Sequence, residues 1–185
     1  MAEPVKRLFT VSEYHSLTEA GILTEDDRVE LIEGEIFQMA PIGNRHAGCV
    51  NRLNHLLSLG LGDRALVSVQ NPIVLDDHSE MEPDLSVLHP RADYYSSSRP
   101  TPEDTFVVIE VAVSSARFDR FKKIPVYARN GVPEVWLVDL TNDRIEVYRE
   151  PSGMSYRNVH RFEAGDRISP LAFPDFELKA GEILP

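Results

Sequence analysis

The sequence predicts an α/β fold in which a mixed β-sheet is flanked by helices, and three observations predict it. Residues 44–139 follow helix and strand periodicities in the order αβββαβ. Two predicted strands, 105–113 and 134–139, are almost continuously apolar, which is typical of strands buried on both faces. Hydrophobic residues (42%) and charged residues (26%) have ordinary globular frequencies in this chain of 185 residues. We therefore expect one domain over residues 1–185.

An N-terminal helix and a hairpin are predicted before this core. Residues 10–13 (Thr-Val-Ser-Glu) form a capping box, which indicates a helix from there to about Gly21. Two strand-like segments, 28–32 and 35–39, flank Glu33-Gly34, so a hairpin with a two-residue turn is expected.

The core elements follow from apolar spacing. Val50, Leu53 and Leu57 form the apolar stripe of a helix from about Asn44 to Leu59, and the stripe places His46 on its buried side. The remaining elements are, in order, strands at 65–70 with 73–75, at 84–88 and at 105–113, a helix at 118–129, a strand at 134–139, and a C-terminal β-meander at 144–149 and 155–162.

The overall charge balance argues against a protein that coats nucleic acid non-specifically, because phosphate binding requires clustered Lys and Arg. The net charge is −11, although residues 117–129 carry +4 and the rest of the chain carries −15. Five acidic residues fall within 76–84, and we expect a solvated loop there.

The sequence favours a cytoplasmic protein with no membrane attachment. No apolar run is long enough for a membrane span, and residues 1–7 lack the apolar stretch of a signal peptide. Cys49 is the single cysteine and cannot form an internal disulfide, so nothing indicates an oxidising compartment.

Glu110 is the residue that the fold pattern does not explain. It lies in the apolar run 106–113, where an unpaired carboxylate would cost several kcal/mol or become protonated. The neighbouring strand begins at residues 82–85 (Glu-Pro-Asp-Leu), which adds negative charge. Two carboxylates about 4 Å apart repel by about 4 kcal/mol at an effective dielectric of about 20. A divalent cation with oxygen ligands, Mg²⁺ or Mn²⁺, would remove this repulsion. Alternatively, Glu110 pairs with Lys122, Lys123 or an arginine of the next helix, and spacing alone favours neither reading.

Six blocks of residues occur in a defined order along the chain. They are 30–36 (ELIEGEI), His46, 83–85 (PDL), 109–111 (IEV), Asp119-Arg120 with Lys123 and Tyr127-Ala128, and 131–139 (GVPEVWLVD). This ordered set resembles the Uma-type family of restriction endonucleases in the PD-(D/E)XK nuclease superfamily, and it extends over about residues 8–165. The superfamily core has the αβββαβ order, so the resemblance implies a restriction-endonuclease-like fold.

The resemblance also implies a metal-dependent site. Asp84 and Glu110 would bind Mg²⁺ or Mn²⁺, with the Val111 carbonyl as a further ligand. The superfamily's lysine usually lies two residues after the glutamate, where this chain has Ala112, but the Uma-type pattern places it on the next helix, at Lys123. Three matching residues would be accessory: Glu30, His46 and Asp119. Four basic residues would face the phosphates of DNA: Arg117, Arg120, Lys122 and Arg129.

After Ala112, Pro125 is the second unexpected residue, because a proline inside a helix removes one backbone hydrogen bond. If the helix starts near Phe121, the proline falls in its first turns, where it is better tolerated.

The implied activity is hydrolysis of DNA phosphodiester bonds by a metal-activated water. A two-fold dimer would cut both strands of a duplex. Two alternatives stay open. A non-catalytic descendant that binds nucleic acid or protein is favoured by Ala112 and Pro125 and opposed by the retained Asp84, Glu110 and Lys123. A metal-dependent nucleotide hydrolase is disfavoured, because the chain has no glycine-rich phosphate loop.

Overall fold

The computed structural model describes residues 5–24 and 26–184. Its α-helices are α1 (Val11–Glu19), α2 (Asn44–Leu61), α3 (Ala116–Phe118), α4 (Ile124–Arg129) and α5 (Ala180–Ile183), and a π-helical segment (Asp119–Lys123) joins α3 to α4. Its strands are β1 (Val29–Ile32), β2 (Glu35–Gln38), β3 (Leu66–Val69), β4 (Ile73–Asp76), β5 (Ser79–Met81), β6 (Leu85–Leu88), β7 (Thr105–Ala112), β8 (Glu134–Asp139), β9 (Arg144–Ser152), β10 (Ser155–Phe162), β11 (Arg167–Ile168) and β12 (Leu178–Lys179). In this part of the chain, no helix has the length and hydropathy needed to cross a bilayer.

A six-stranded mixed sheet forms the centre of the structure, in the order β10-β9-β8-β7-β6-β3. Strands β7 and β8 are parallel, and the other neighbours in this sheet are antiparallel. The predicted α/β class, a mixed sheet flanked by helices, is confirmed. The expectation of one sheet was wrong, because the hairpin β1–β2 joins β4 and β5 in a separate antiparallel sheet ordered β2-β1-β5-β4.

The acidic stretch 76–84 was wrongly expected to be a solvated loop, because part of it is strand β5. The side chain of Glu80 is only 5% exposed and contacts His15 Nε2 at 2.8 Å, and it also pairs with Arg99. These two partners, a histidine and an arginine, lie far from Glu80 in the sequence. A buried charge with distant partners looks like a solvated charge when only its local sequence is considered.

Strand β7 divides the interior into two cores, as its continuous apolar run predicted. Val107, Ile109 and Val111 pack in the core on the α2 side, whereas Val108 and Ala112 pack in the core on the α4 side. Successive side chains of a strand alternate between faces. Glu110 therefore points to the α4 side of the sheet.

Pro125 accounts for the π-helical segment before α4. In a regular α-helix the proline ring would clash with the carbonyl of Phe121, four residues earlier. Here the Ile124 N–H donates to the Asp119 carbonyl in a wider turn, so that Pro125 falls in the first turn of α4. The wide turn leaves Asp119 and Lys123 both buried, at 5% and 3% exposure.

The predicted N-terminal hairpin is confirmed and is attached to this helical stretch. Glu33 (φ 53°) and Gly34 (φ 77°) both adopt the left-handed conformation that a tight two-residue turn requires. The Glu33 carboxylate accepts from Lys122 Nζ and from Arg129 Nη1, each at 2.8 Å. These contacts hold the hairpin, and with it Glu30 of β1, against the helix.

Candidate active site

A cavity of about 400 Å³ opens beside the C-terminal end of β7. It is bounded by β1, the segment after β2, the start of α2, the residue before β6 and the π-helical segment. Seven residues that the sequence analysis singled out line it: Glu30, His46, Asp84, Glu110, Val111, Asp119 and Lys123. Residues from five separate chain segments therefore meet in one cavity.

Asp84 is held by donors from three directions. It precedes β6, and the pairing of Leu85 with Ile109 places it beside the end of β7. Its Oδ2 accepts from the Val111 N–H at 2.8 Å and lies 2.9 Å from His46 Nε2. Its Oδ1 is 3.3 Å from Gln70 Nε2. An ionised Asp84 requires His46 to donate from Nε2, which leaves the buried Nδ1 of His46 without a hydrogen-bond partner among the described residues.

Glu110 is 3% exposed, and its Oε1 contacts two side chains of the helical stretch. The Tyr127 hydroxyl donates to it at 2.6 Å, and Lys123 Nζ lies 2.7 Å away. Burial raises the pKa of Glu110, the charge of Lys123 opposes this rise, and the charges of Asp119 and other carboxylates add to it. The ion-pair reading considered from the sequence is thus realised in the structure, with Lys123 as the partner.

Lys123 bridges two carboxylates from different sheets. Its Nζ is 2.7 Å from Glu110 Oε1 and 3.2 Å from Glu30 Oε1. Burial lowers the pKa of Lys123, but the charges of Glu110, Glu30 and Asp119 outweigh burial and raise that pKa above its ordinary value. These charges favour the ammonium form of Lys123, and its two acceptors fix the direction of the side chain.

The two accessory acids are also buried. Glu30 is 4% exposed, and its Oε2 is buried without a hydrogen-bond partner among the described residues. Asp119 accepts from the Ser115 hydroxyl at 2.8 Å, and burial raises the pKa of its carboxyl. With Asp84, Glu110 and Glu82, five carboxylates line the cavity. Of the three Lys and Arg residues in the lining, only Lys123 is buried, while Arg28 and Arg45 are exposed. The buried part of the cavity is therefore acidic.

This donor set fits a divalent cation that shares its coordination with water or substrate. In residues 5–24 and 26–184, no group of three or more His, Cys, Asp or Glu side chains is placed so that it could hold a metal ion. Mg²⁺, however, commonly uses one or two carboxylates and completes its shell with waters and phosphate oxygens. The unpartnered oxygen of Glu30 and the excess of acidic over basic side chains both favour the binding of a cation in the cavity.

None of the four predicted phosphate-facing residues lines the cavity. Arg120 Nε donates to Glu146 at 2.9 Å, while Lys122 and Arg129 bind Glu33. Arg117 is exposed but also lies outside the cavity lining. Two arginines that the sequence analysis did not single out line it instead: Arg28 and Arg45.

Sequence reasoning also missed the residues that orient the site. Tyr127 was named only as part of a family block, yet its position four residues after Lys123 was a usable signal, because such residues share a helix face. Gln70 gave no signal. It has a left-handed backbone (φ 49°), and its N–H donates to the Asp84 carbonyl at 3.1 Å, an arrangement that local sequence does not encode.

The αβββαβ core and the lysine–carboxylate cavity place this protein in the class of restriction-endonuclease-like α/β proteins. Residues 11–181 match the Uma2 family, whose description is "Putative restriction endonuclease". The chain belongs to this family, and membership supports a nuclease activity.

Two known proteins resemble the chain over most of its length. An "Uncharacterized protein sll1609" of Synechocystis sp. is 26% identical over 155 residues, which cover 81% of this chain and 85% of that protein. The crystal structure of a "putative nuclease belonging to DUF820" from Anabaena variabilis superposes with a TM-score of 0.73 at 18% identity, covering 95% of this chain and 97% of the other. At that identity the structural likeness establishes the shared fold.

Proposed function

We propose that this protein is a metal-dependent endonuclease that hydrolyses phosphodiester bonds of DNA, with Mg²⁺ or Mn²⁺ as its cofactor. The observation that carries the proposal is the meeting of Asp84, Glu110 and Lys123 in one acidic cavity. Family membership supports the same reaction class.

The carboxylates of Asp84 and Glu110 and the carbonyl of Val111 would hold the cation. When bound, such an ion lowers the pKa of a coordinated water and neutralises charge on the phosphate. Lys123 supplies a second positive charge, directed by Glu30 and Glu110. Its ammonium would donate to an oxygen of the phosphate on which negative charge develops.

The surrounding residues would act by positioning these groups. His46 and the Val111 N–H fix one oxygen of Asp84, and Tyr127 fixes Oε1 of Glu110. Because each contact joins two different chain segments, the geometry of the cavity depends on the whole fold.

One observation favours the alternative of a non-catalytic, binding descendant. Lys123 already neutralises Glu110, so the pair is electrostatically satisfied without a cation. The two readings differ in whether the wild-type protein cleaves nucleic acid at all.

Substitution of Lys123 tests the proposal in a plasmid-nicking assay with Mg²⁺ or Mn²⁺. Lys123→Ala should lower the cleavage rate by about 100-fold or more, the usual cost of losing a charge-stabilising donor. Lys123→Met, which retains most of the side-chain volume, should lose cleavage equally. Lys122→Ala is the matched control, because Lys122 binds Glu33 outside the cavity, and it should cut within a few-fold of the wild type.

If both Lys123 variants cleave DNA as fast as the wild type, Lys123 has no role in catalysis. Absence of cleavage by the wild type with DNA or RNA and either ion would favour the binding descendant.

A further inference from the structure

We infer that the cavity accepts unpaired DNA rather than an intact duplex, a specificity that rests on the proposed nuclease function. The first argument is the depth of the proposed catalytic groups. Glu110 and Lys123 are each 3% exposed and Glu30 is 4% exposed, while the Asp84 side chain is 14% exposed. A scissile phosphate can reach these groups only by entering the cavity.

The size of the cavity separates the two kinds of substrate. About 400 Å³ lies in the range of pockets that enclose one small organic molecule, about 300–1,000 Å³. A duplex is stiff over about 150 base pairs, so it cannot turn a nucleotide into a cavity of this size without unpairing it. A single strand rotates freely about its backbone bonds, so that one nucleotide can turn inward.

The wall chemistry of the cavity matches unpaired bases. Met39, Pro41 and Ile42 line one side, and Val113 and Phe118 also contribute to the wall. Ile42 and Val113 are 40% and 39% exposed, so this apolar surface is available for contact. The faces of paired bases are hidden in the stack, whereas unpaired bases offer theirs to apolar and aromatic side chains.

The charge of the rim complements a nucleic-acid backbone. Arg28 and Arg45 are exposed and line the same cavity as the buried acids. Phosphates flanking the scissile bond would lie at these arginines, while neighbouring bases contact the apolar wall. Basic side chains beside stacking surfaces are the usual arrangement in proteins that bind single strands.

Cleavage of one labelled DNA sequence in three forms tests the inference: as a single strand, as a full duplex, and as a duplex with a central unpaired bubble. The single strand and the bubble should be cut at least about tenfold faster than the duplex, because unpairing costs a few kcal/mol. Cuts in the bubble substrate should fall within the unpaired segment.

A rim variant links this preference to the cavity. Ile42→Ala should raise the KM for the single strand by up to about fivefold, no more than the smallest loss seen for aromatic stacking residues, because Ile42 is aliphatic. Leu59→Ala is the matched control, since Leu59 is 76% exposed on α2 and outside the cavity lining, and it should leave KM unchanged.

Equal cleavage of duplex and single strand would overturn the inference and leave the nuclease proposal standing. If no form is cut, the nuclease proposal fails, and fluorescence anisotropy with wild-type protein decides the inference. Tighter binding of the single strand would sustain the preference, whereas equal or absent binding would overturn it.

Discussion

At the scale of single residues, Glu110 and Lys123 neutralise each other inside a cavity that Glu30, Asp84 and Asp119 also line. One ammonium cannot balance four carboxylates, and burial strengthens their mutual repulsion by lowering the local dielectric. A divalent cation that reduces this repulsion in the folded state should stabilise the protein, because the unfolded chain lacks the assembled site.

Glu110→Gln tests this linkage by differential scanning fluorimetry. Above its Kd, Mg²⁺ or Mn²⁺ should add about 1.4 kcal/mol of stability to the wild type per tenfold rise in ion concentration. For a chain of this size, each kcal/mol of added stability raises Tm by about 2–4 °C. Glu110→Gln should lose the ion-dependent gain while remaining folded.

Glu146→Gln provides the comparison, because Glu146 is another buried strand carboxylate but binds Arg120 outside the cavity. It should keep the ion-dependent rise in Tm. An equal rise in the Glu110 variant would show that the ion binds elsewhere.

The composition of the site was only partly predictable at this scale. Glu110 was identified because a charge interrupts an apolar run, and Asp84 because it begins a predicted neighbouring strand and belongs to a family block. The role of Glu30 as a partner of Lys123 could not be predicted, because the two residues are 93 positions apart and meet only through tertiary packing.

At the scale of elements, the hairpin β1–β2 is held to the helical stretch by Glu33. The hydrogen bond from Lys122 lowers the pKa of the Glu33 carboxyl, burial opposes that change, and Arg129 adds to it. A carboxyl whose pKa is lowered by folding contributes stability above its unfolded pKa, and this contribution is lost as the pH falls through the folded pKa.

Glu33→Gln should therefore lower Tm at neutral pH and approach the wild-type Tm near pH 3. The expected loss at pH 7 is below about 1 kcal/mol, as for other partly exposed ion pairs. Thermal melts from pH 3 to 7 measure it, with exposed Glu103→Gln as the control. A Tm difference independent of pH would assign the effect to the turn rather than to the charge.

Element types were more predictable than their pairing. Alternation and continuous apolar runs identified the strands of the central sheet, and the capping box at Thr10 and Glu13 identified α1. Strand β5 was missed because its three residues include a charged one. The π-helical segment was missed because periodicity describes the average turn and not the local widening before Pro125.

At the scale of the whole molecule, a net charge of −11 opposes binding to nucleic acid. Binding at the cavity therefore depends strongly on its few arginines. Arg45 is partly neutralised by Asp143, at 3.2 Å. Asp143 has a left-handed backbone (φ 46°), which asparagine also tolerates well.

Asp143→Asn should accordingly tighten the binding of single-stranded DNA without disturbing the turn. The slope of log K against log salt concentration should become steeper by up to about 0.7, the value for one added phosphate contact. Anisotropy titrations over a salt series measure both quantities.

Asp175→Asn is the matched control, because it releases Arg64, which lies outside the cavity lining. If both variants bind single-stranded DNA equally more tightly, the effect comes from the overall net charge and not from Arg45.

The bridge from Glu30 through Lys123 to Glu110 has a consequence for the order in which the protein forms. Contacts between distant positions close late, because the intervening chain must lose its conformational entropy first. During synthesis, Glu30 leaves the ribosome long before Lys123 exists. The proposed catalytic centre is therefore absent from a nascent or partly folded chain, and any cleavage activity begins only when the fold is complete.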